Sequence, residues 1–126
     1  MFVLDTNAVS ALLAGDKALG ALLEHDDRHA LPVIVIGEYR FGLVRSKHRR
    51  SLEPLLDQLI EQSLVLAIDD ATTHAYASVR ESLRRKGTPL PENDVWIAAL
   101  AEQHQLAIVT RDEHFEDVEG IVRHSW

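Results

Sequence analysis

The chain has 126 residues, of which 46% are apolar, 26% charged and 6% aromatic. Those values describe a single domain over 1–126 with a real core and exclude intrinsic disorder. A net charge of −7 repels nucleic acid overall, so a partner of that kind needs a local basic patch or bound cations. The absence of cysteine excludes a disulfide framework and a thiolate zinc site.

Met1 leads straight into the apolar run Phe2-Val3-Leu4, with no basic leader, long hydrophobic stretch or small-residue cleavage site. The expectation is a cytoplasmic protein with neither export nor membrane insertion. Residues 2–4 predict a first strand. Short helical stretches follow, one from Val9, Leu12 and Leu13, one from Leu19, Leu22 and Leu23. Residues 31–36 predict a second strand, and the spacing of Leu52, Leu55, Leu56, Leu59 and Ile60 a helix. A third strand is expected at 64–68, a helix through Ala71, Ala75, Val79 and Leu83, and another through Trp96, Ile97 and Leu100. Residues 106–109 predict the fourth strand, and Gly120-Ile121-Val122 a fifth.

The strand runs are rich in Val, Ile and Leu without alternation, the pattern of strands buried on both faces. Strands alternating with helices imply parallel pairing, right-handed crossovers and helices on both sheet faces. The expected fold is an α/β/α sandwich around a mainly parallel sheet of four to five strands. In such sheets ligands bind beyond the carboxyl ends of the strands, where the strand order reverses.

Four acids are expected at that edge. Asp5 ends the first strand, Glu38 follows the second, Asp94 opens the helix beginning near Pro91, and Asp112 follows the fourth strand. Each alone has a plain role, as a helix cap, a first-turn acid or a turn residue. Together they would repel one another unless a cation neutralised them. Mg²⁺ or Mn²⁺ fits, being a hard ion that takes oxygen ligands and shares its site with substrate phosphate. Such a site suits in-line phosphodiester hydrolysis.

The stretches Phe2-Val3-Leu4-Asp5-Thr6-Asn7, Val33 to Gly42 around Glu38, Pro91 to Ala99 around Asp94, and Val109-Thr110-Arg111-Asp112-Glu113-His114-Phe115 resemble the PIN-domain nucleases. They resemble more narrowly the VapC toxins of toxin–antitoxin pairs. The resemblance spans nearly the whole chain and implies RNA cleavage with Mg²⁺ or Mn²⁺, homodimerisation, and inhibition by a VapB-type antitoxin. By the same resemblance Asp5 and Asp94 are the principal metal ligands, and Glu38 and Asp112 complete the acidic pocket. Thr6, Asn7 and Thr110 resemble the polar supports of such a site. One departure is Val35, where many relatives carry a hydroxyl residue three positions before the glutamate.

The basic run Arg45, Lys47, Arg49 and Arg50 is a candidate for RNA phosphates, whereas Arg84, Arg85 and Lys86 before Gly87 read as a solvated helix end. His25 and His29 have metal-pair spacing, but they sit in a polar connection with no third ligand. His114 lies close to Asp112 and reads as a turn residue with a possible substrate contact. Trp96 reads as core. The early leucines, Leu12, Leu13, Leu19, Leu22 and Leu23, leave open whether their apolar surface meets the core or a partner.

Competing readings fit less well. A haloacid-dehalogenase phosphatase needs a second acid where Asn7 stands, a phospho-receiver needs an adjacent acidic pair, and a nicotinamide fold needs a glycine-rich turn. The alternative from another class is a non-catalytic module that keeps the PIN architecture for RNA or protein contacts.

Overall fold

The structure is a computed structural model describing all 126 residues. Strand β1 (Val3–Leu4) runs into Asp5, which caps α1 (Thr6–Leu13) by accepting a hydrogen bond from the Thr6 amide at 2.7 Å. Asp16 caps α2 (Lys17–Leu22) in the same way through the Leu19 amide. There follow β2 (Ala30–Pro32), α3 (Val33–Leu43), α4 (Arg49–Gln62), β3 (Leu64–Leu66) and α5 (Asp70–Lys86). The chain closes with α6 (Glu92–His104), β4 (Ile108–Val109), a 3₁₀ turn at Glu113–Asp117 and β5 (Arg123–His124).

All strand pairs are parallel, in the order β3-β2-β1-β4-β5. The chain steps outward from β1 to β2 to β3 on one side, then returns to the other side of β1 for β4 and β5. The order therefore reverses between β1 and β4, where Leu4 stands level with Val109. Asp5 and Thr110 are the next residues on the two strands, so the reversal sets them side by side.

Val3, Leu4, Ala30, Leu31, Ile108 and Val109 are fully buried, as a sheet covered on both faces requires. Helix α6 contributes Ile97, Ala98 and Leu100 to the same core. Burial of each large aliphatic side chain stabilises the fold by roughly 1.5–3 kcal/mol. Leu19 and Leu23 are buried, and Leu12, Leu13 and Leu22 pack against the same cluster. Leu19 and Leu23 therefore belong to the core, whereas Leu12, Leu13 and Leu22 are only partly covered, and Leu12 and Leu13 line a surface groove with Leu55 and Leu59.

Three details differ from the sequence reading. The second strand stops at Pro32 and residues 33–36 are already helical, so Glu38 sits inside α3 rather than after a strand. Pro32 fixes φ at −60° where the helix begins. The β-branched run Val33-Ile34-Val35-Ile36 is tolerated because α3 buries Val35, Tyr39 and Leu43, a helical spacing in which packing overrides propensity. The fifth strand lies at Arg123–His124, not 120–122, because Gly120 at φ 80° makes the turn that precedes it. Finally, β3 is an edge strand with Leu64 and Val65 exposed, so it is not covered on both faces.

Candidate active site

Asp5 is 5% exposed, and both its carboxylate oxygens are held. Oδ1 accepts from the Thr6 amide; Oδ2 accepts from Thr110 Oγ1 at 2.8 Å and from Asn7 Nδ2 at 3.2 Å. Thr110 Oγ1 also accepts from Asn7 Nδ2 at 3.0 Å and from the Asp112 amide at 3.0 Å. Asn7 Oδ1 takes the Arg111 amide at 3.1 Å. One hydroxyl and one carboxamide thus tie the end of β1 to the turn after β4.

Glu38 points from the second turn of α3 toward α1, where Thr6 Oγ1 donates to its Oε1 at 3.0 Å. Asp112 caps the 3₁₀ turn, its Oδ1 accepting from the His114 amide at 2.9 Å and lying 3.1 Å from His114 Nδ1. Asp94 stands in the first turn of α6, where a negative charge complements the helix dipole.

Asp94 and Asp5 hold their protons more tightly than free carboxyls do. Burial first, then the charges of Asp5, Asp112 and Glu38, push the Asp94 carboxyl from 3.8 up to about 6. Burial likewise raises Asp5, with Glu38 and Asp112 adding to it while the Thr110 and Thr6 hydrogen bonds pull the other way. Burial is the larger cause and repulsion adds to it, opposed at Asp94 only by the nearby His114. No three Asp, Glu or His side chains close into a cage around a point. An open cluster of this kind suits Mg²⁺, which is held through one or two carboxylates and keeps several of its waters.

Hydrogen bonds link Asp5, Thr6, Asn7, Thr110, Glu38 and Asp112, and Asp94 stands within electrostatic reach of Asp5, Asp112 and Glu38. The hydroxyl lacking at Val35 has no counterpart there, because Val35 is fully buried in the core; Thr6 supports Glu38 instead. His25 is exposed and His29 bonds Asp26 at 2.9 Å, away from these acids. Trp96 is half-buried and stacks on Tyr76, with centroids 4.0 Å apart.

Two concavities bear on function. A cavity of 540 Å³ lies against α5 and α6, lined by Tyr76, Arg80 and Leu90 among others, but none of the four acids reaches it. A smaller groove of 320 Å³ starts at Thr6 and Glu38 and runs between α1 and α3, past Ser10 and Gly42, to Ser46. Sequence reading missed this groove, whose only sequence trace is the small residues Ser10, Ala14, Gly42 and Ser46 at its wall.

Ser46 belongs to the basic run. Arg45 to His48 form the turn between α3 and α4, and Arg49 and Arg50 open α4. Arg49 is committed to Glu53 at 2.8 Å, whereas Arg45, Lys47 and Arg50 enter no ion pair. The second basic cluster ends α5 as expected: Arg84 and Arg85 pair with Glu81 before Gly87 turns left-handed at φ 68°.

The profile of the PIN domain matches residues 2–121. Ribonuclease VapC5 of Mycobacterium tuberculosis is 30% identical over 125 residues, an overlap covering 94% of this chain and 87% of that protein. Toxin FitB of Neisseria gonorrhoeae is 31% identical over 124 residues, covering 89% and 88%. Among solved structures, DNA-bound VapBC from Salmonella typhimurium superposes with a TM-score of 0.89 at 26% identity, over 99% of this chain and 97% of that one. With nearly its whole length inside the profile, the chain belongs to the PIN domain family, in the group that holds the VapC ribonucleases.

Proposed function

We propose that this chain is a divalent-metal-dependent endoribonuclease, the toxin of a VapBC-type pair, restrained by a VapB-type antitoxin. The observation that carries the reading is the convergence of Asp5, Glu38, Asp94 and Asp112 at the strand-order reversal, with the Asp94 carboxyl raised to about 6 by burial and by the other three. The relatives named above are a ribonuclease and a toxin, and the solved neighbours include a member of the VapBC family of toxin–antitoxin systems from Mycobacterium tuberculosis.

The donor set fits Mg²⁺ or Mn²⁺: oxygen ligands only, anionic in excess, and partly open to water. Asp5 and Asp94 would hold the ion, with Glu38 and Asp112 completing the pocket. When bound, the ion polarises the phosphate and lowers the pKa of a water. The protein's own part is positional. Thr6, Thr110 and Asn7 fix the carboxylates before substrate arrives, which spares that reorganisation during reaction. Glu38 is bonded by Thr6 through Oε1, leaving Oε2 to orient a water and accept its proton. Asp112, bonded through Oδ1, similarly keeps Oδ2 for water or ion. The unpaired cations Arg45, Lys47 and Arg50 take RNA phosphates near the site, with Arg49 contributing once released from Glu53, and they offset locally a net charge of −7.

The whole of 1–126 acts as one nuclease domain, working as a homodimer in the cytoplasm, where its RNA is. No helix is long and apolar enough to cross a membrane. The test compares RNA cleavage by the wild type, Asp5→Asn and Asp94→Asn in Mg²⁺, Mn²⁺ and EDTA. Metal-dependent cleavage confined to the wild type is expected. Full cleavage by both variants would assign the activity to a contaminant, and a wild type that binds RNA without turnover in any metal would make this a non-catalytic module.

A further inference from the structure

Phe41 is 82% exposed, more than any other large apolar side chain in the molecule. A solitary exposed apolar residue needs no explanation, but this one has particular neighbours. It stands three residues after Glu38 on α3, and Gly42 and Arg45 stand four and seven after it. At 3.6 residues per turn Glu38, Phe41 and Gly42 share one side of the helix, and Arg45 follows in the turn after it. Phe41 stands about 4.5 Å along α3 from Glu38, and the turn that carries the unpaired cations Arg45 and Lys47 begins directly after that helix.

Beside these residues lies the groove from Glu38 past Gly42 to Ser46. Gly42 lines it, and a Cβ there would project into open space. An exposed aromatic ring followed in the chain by unpaired cations supplies the two elements with which proteins hold unpaired nucleotides, a face on which a base stacks and charges that follow the backbone. Resting on the ribonuclease reading, we propose that Phe41 is a stacking platform for an unpaired base of the RNA. The strand then leaves the cleaved phosphate along the α1–α3 groove, with its next phosphates on Arg45, Lys47 and Arg50. Charge favours this occupant over a protein face: burying Arg45, Lys47 and Arg50 against an apolar surface would cost their desolvation, whereas a phosphate backbone compensates them.

The test uses full-length Asp94→Asn, which cannot turn over, and a labelled mixed-sequence single-stranded oligoribonucleotide beside its duplex. In that background Phe41→Ala is expected to weaken single-strand binding about tenfold with the salt slope unchanged, because the ring neutralises no phosphate. Phe41→Trp should retain affinity, and its indole fluorescence should be quenched by the single strand and not by the duplex. Unchanged affinity in Phe41→Ala would overturn the proposal. So would loss of binding accompanied by a change in oligomeric mass on light scattering, which would make Phe41 a subunit contact. A parent that binds no RNA, with a wild type that cleaves none, would overturn the ribonuclease reading as well. Cleavage by the wild type with binding indifferent to Phe41 would overturn the stacking role alone.

Discussion

Thr110 Oγ1 donates to Asp5 Oδ2 across 2.8 Å, and both residues are buried. The bond joins positions 105 apart in sequence at the point where the sheet reverses its order, and it holds the most deeply buried acid of the site. Thr110→Val keeps the shape and removes the hydroxyl. Leaving Asp5 with one donor fewer, and the Asp112 amide without its acceptor, should cost about 1–3 kcal/mol. Urea unfolding is expected to show this loss. Metal-dependent cleavage should fall with it, since the Asp5 carboxylate is no longer fixed.

Asp94 makes stability depend on pH. Its carboxyl sits at about 6 in the folded protein against an ordinary 3.8, so the folded state holds the proton more tightly. The stabilisation is complete below about pH 4 and is lost as pH rises through 6. For a sealed site a shift of that size corresponds to about 3 kcal/mol; solvent access to this half-exposed group reduces it to roughly 1–2 kcal/mol. Metal-free Asp94→Asn should therefore be more stable than the wild type at pH 7.5, and the gap should close by pH 4. A gap independent of pH in paired denaturation curves would show that Asp94 is not repelled by its neighbours.

The basic turn predicts a salt effect. Reversing the charge at Arg45, Lys47 and Arg50 should weaken single-stranded RNA binding and lower the slope of log affinity against log salt by about 0.7 for each phosphate no longer neutralised. Metal uptake should be unaffected. Arg49→Ala alone should change the slope least, because Arg49 is already paired with Glu53.

Gly87 offers a contrast far from the chemistry. It closes α5 at φ 68°, and a Cβ there would meet nothing, so Gly87→Ala costs only the left-handed backbone, about 1 kcal/mol. Thermal unfolding should record that loss while cleavage per folded molecule stays constant.

The parallel sandwich was legible because β1, β3 and β4 lie in unbroken apolar runs and α4 and α5 keep a 3.6 period, whereas β5, Arg123–His124, carries no such signal. Asp5 and Asp112 were legible as strand-end acids for the same reason. The boundary at Pro32 was not: Val33-Ile34-Val35-Ile36 has the composition of a strand, and only the packing of Val35, Tyr39 and Leu43 makes it a helix. The groove beside Glu38 escaped notice because it is defined by the separation of α1 and α3, a tertiary quantity with no local period. The commitment of Arg49 to Glu53, against the freedom of Arg45, Lys47 and Arg50, likewise depends on how α4 begins.

Central to the account is the binding of a divalent ion among carboxylates that otherwise repel one another. Calorimetric titration of Mn²⁺ into the metal-free protein at pH 7.5, with Asp94→Asn in parallel, tests it most directly. Saturable uptake by the wild type, with proton release reflecting the raised Asp94 carboxyl and with at least a roughly tenfold weakening in the variant, is the predicted result. Equal uptake by both proteins, or none by the wild type even with RNA present, would contradict it.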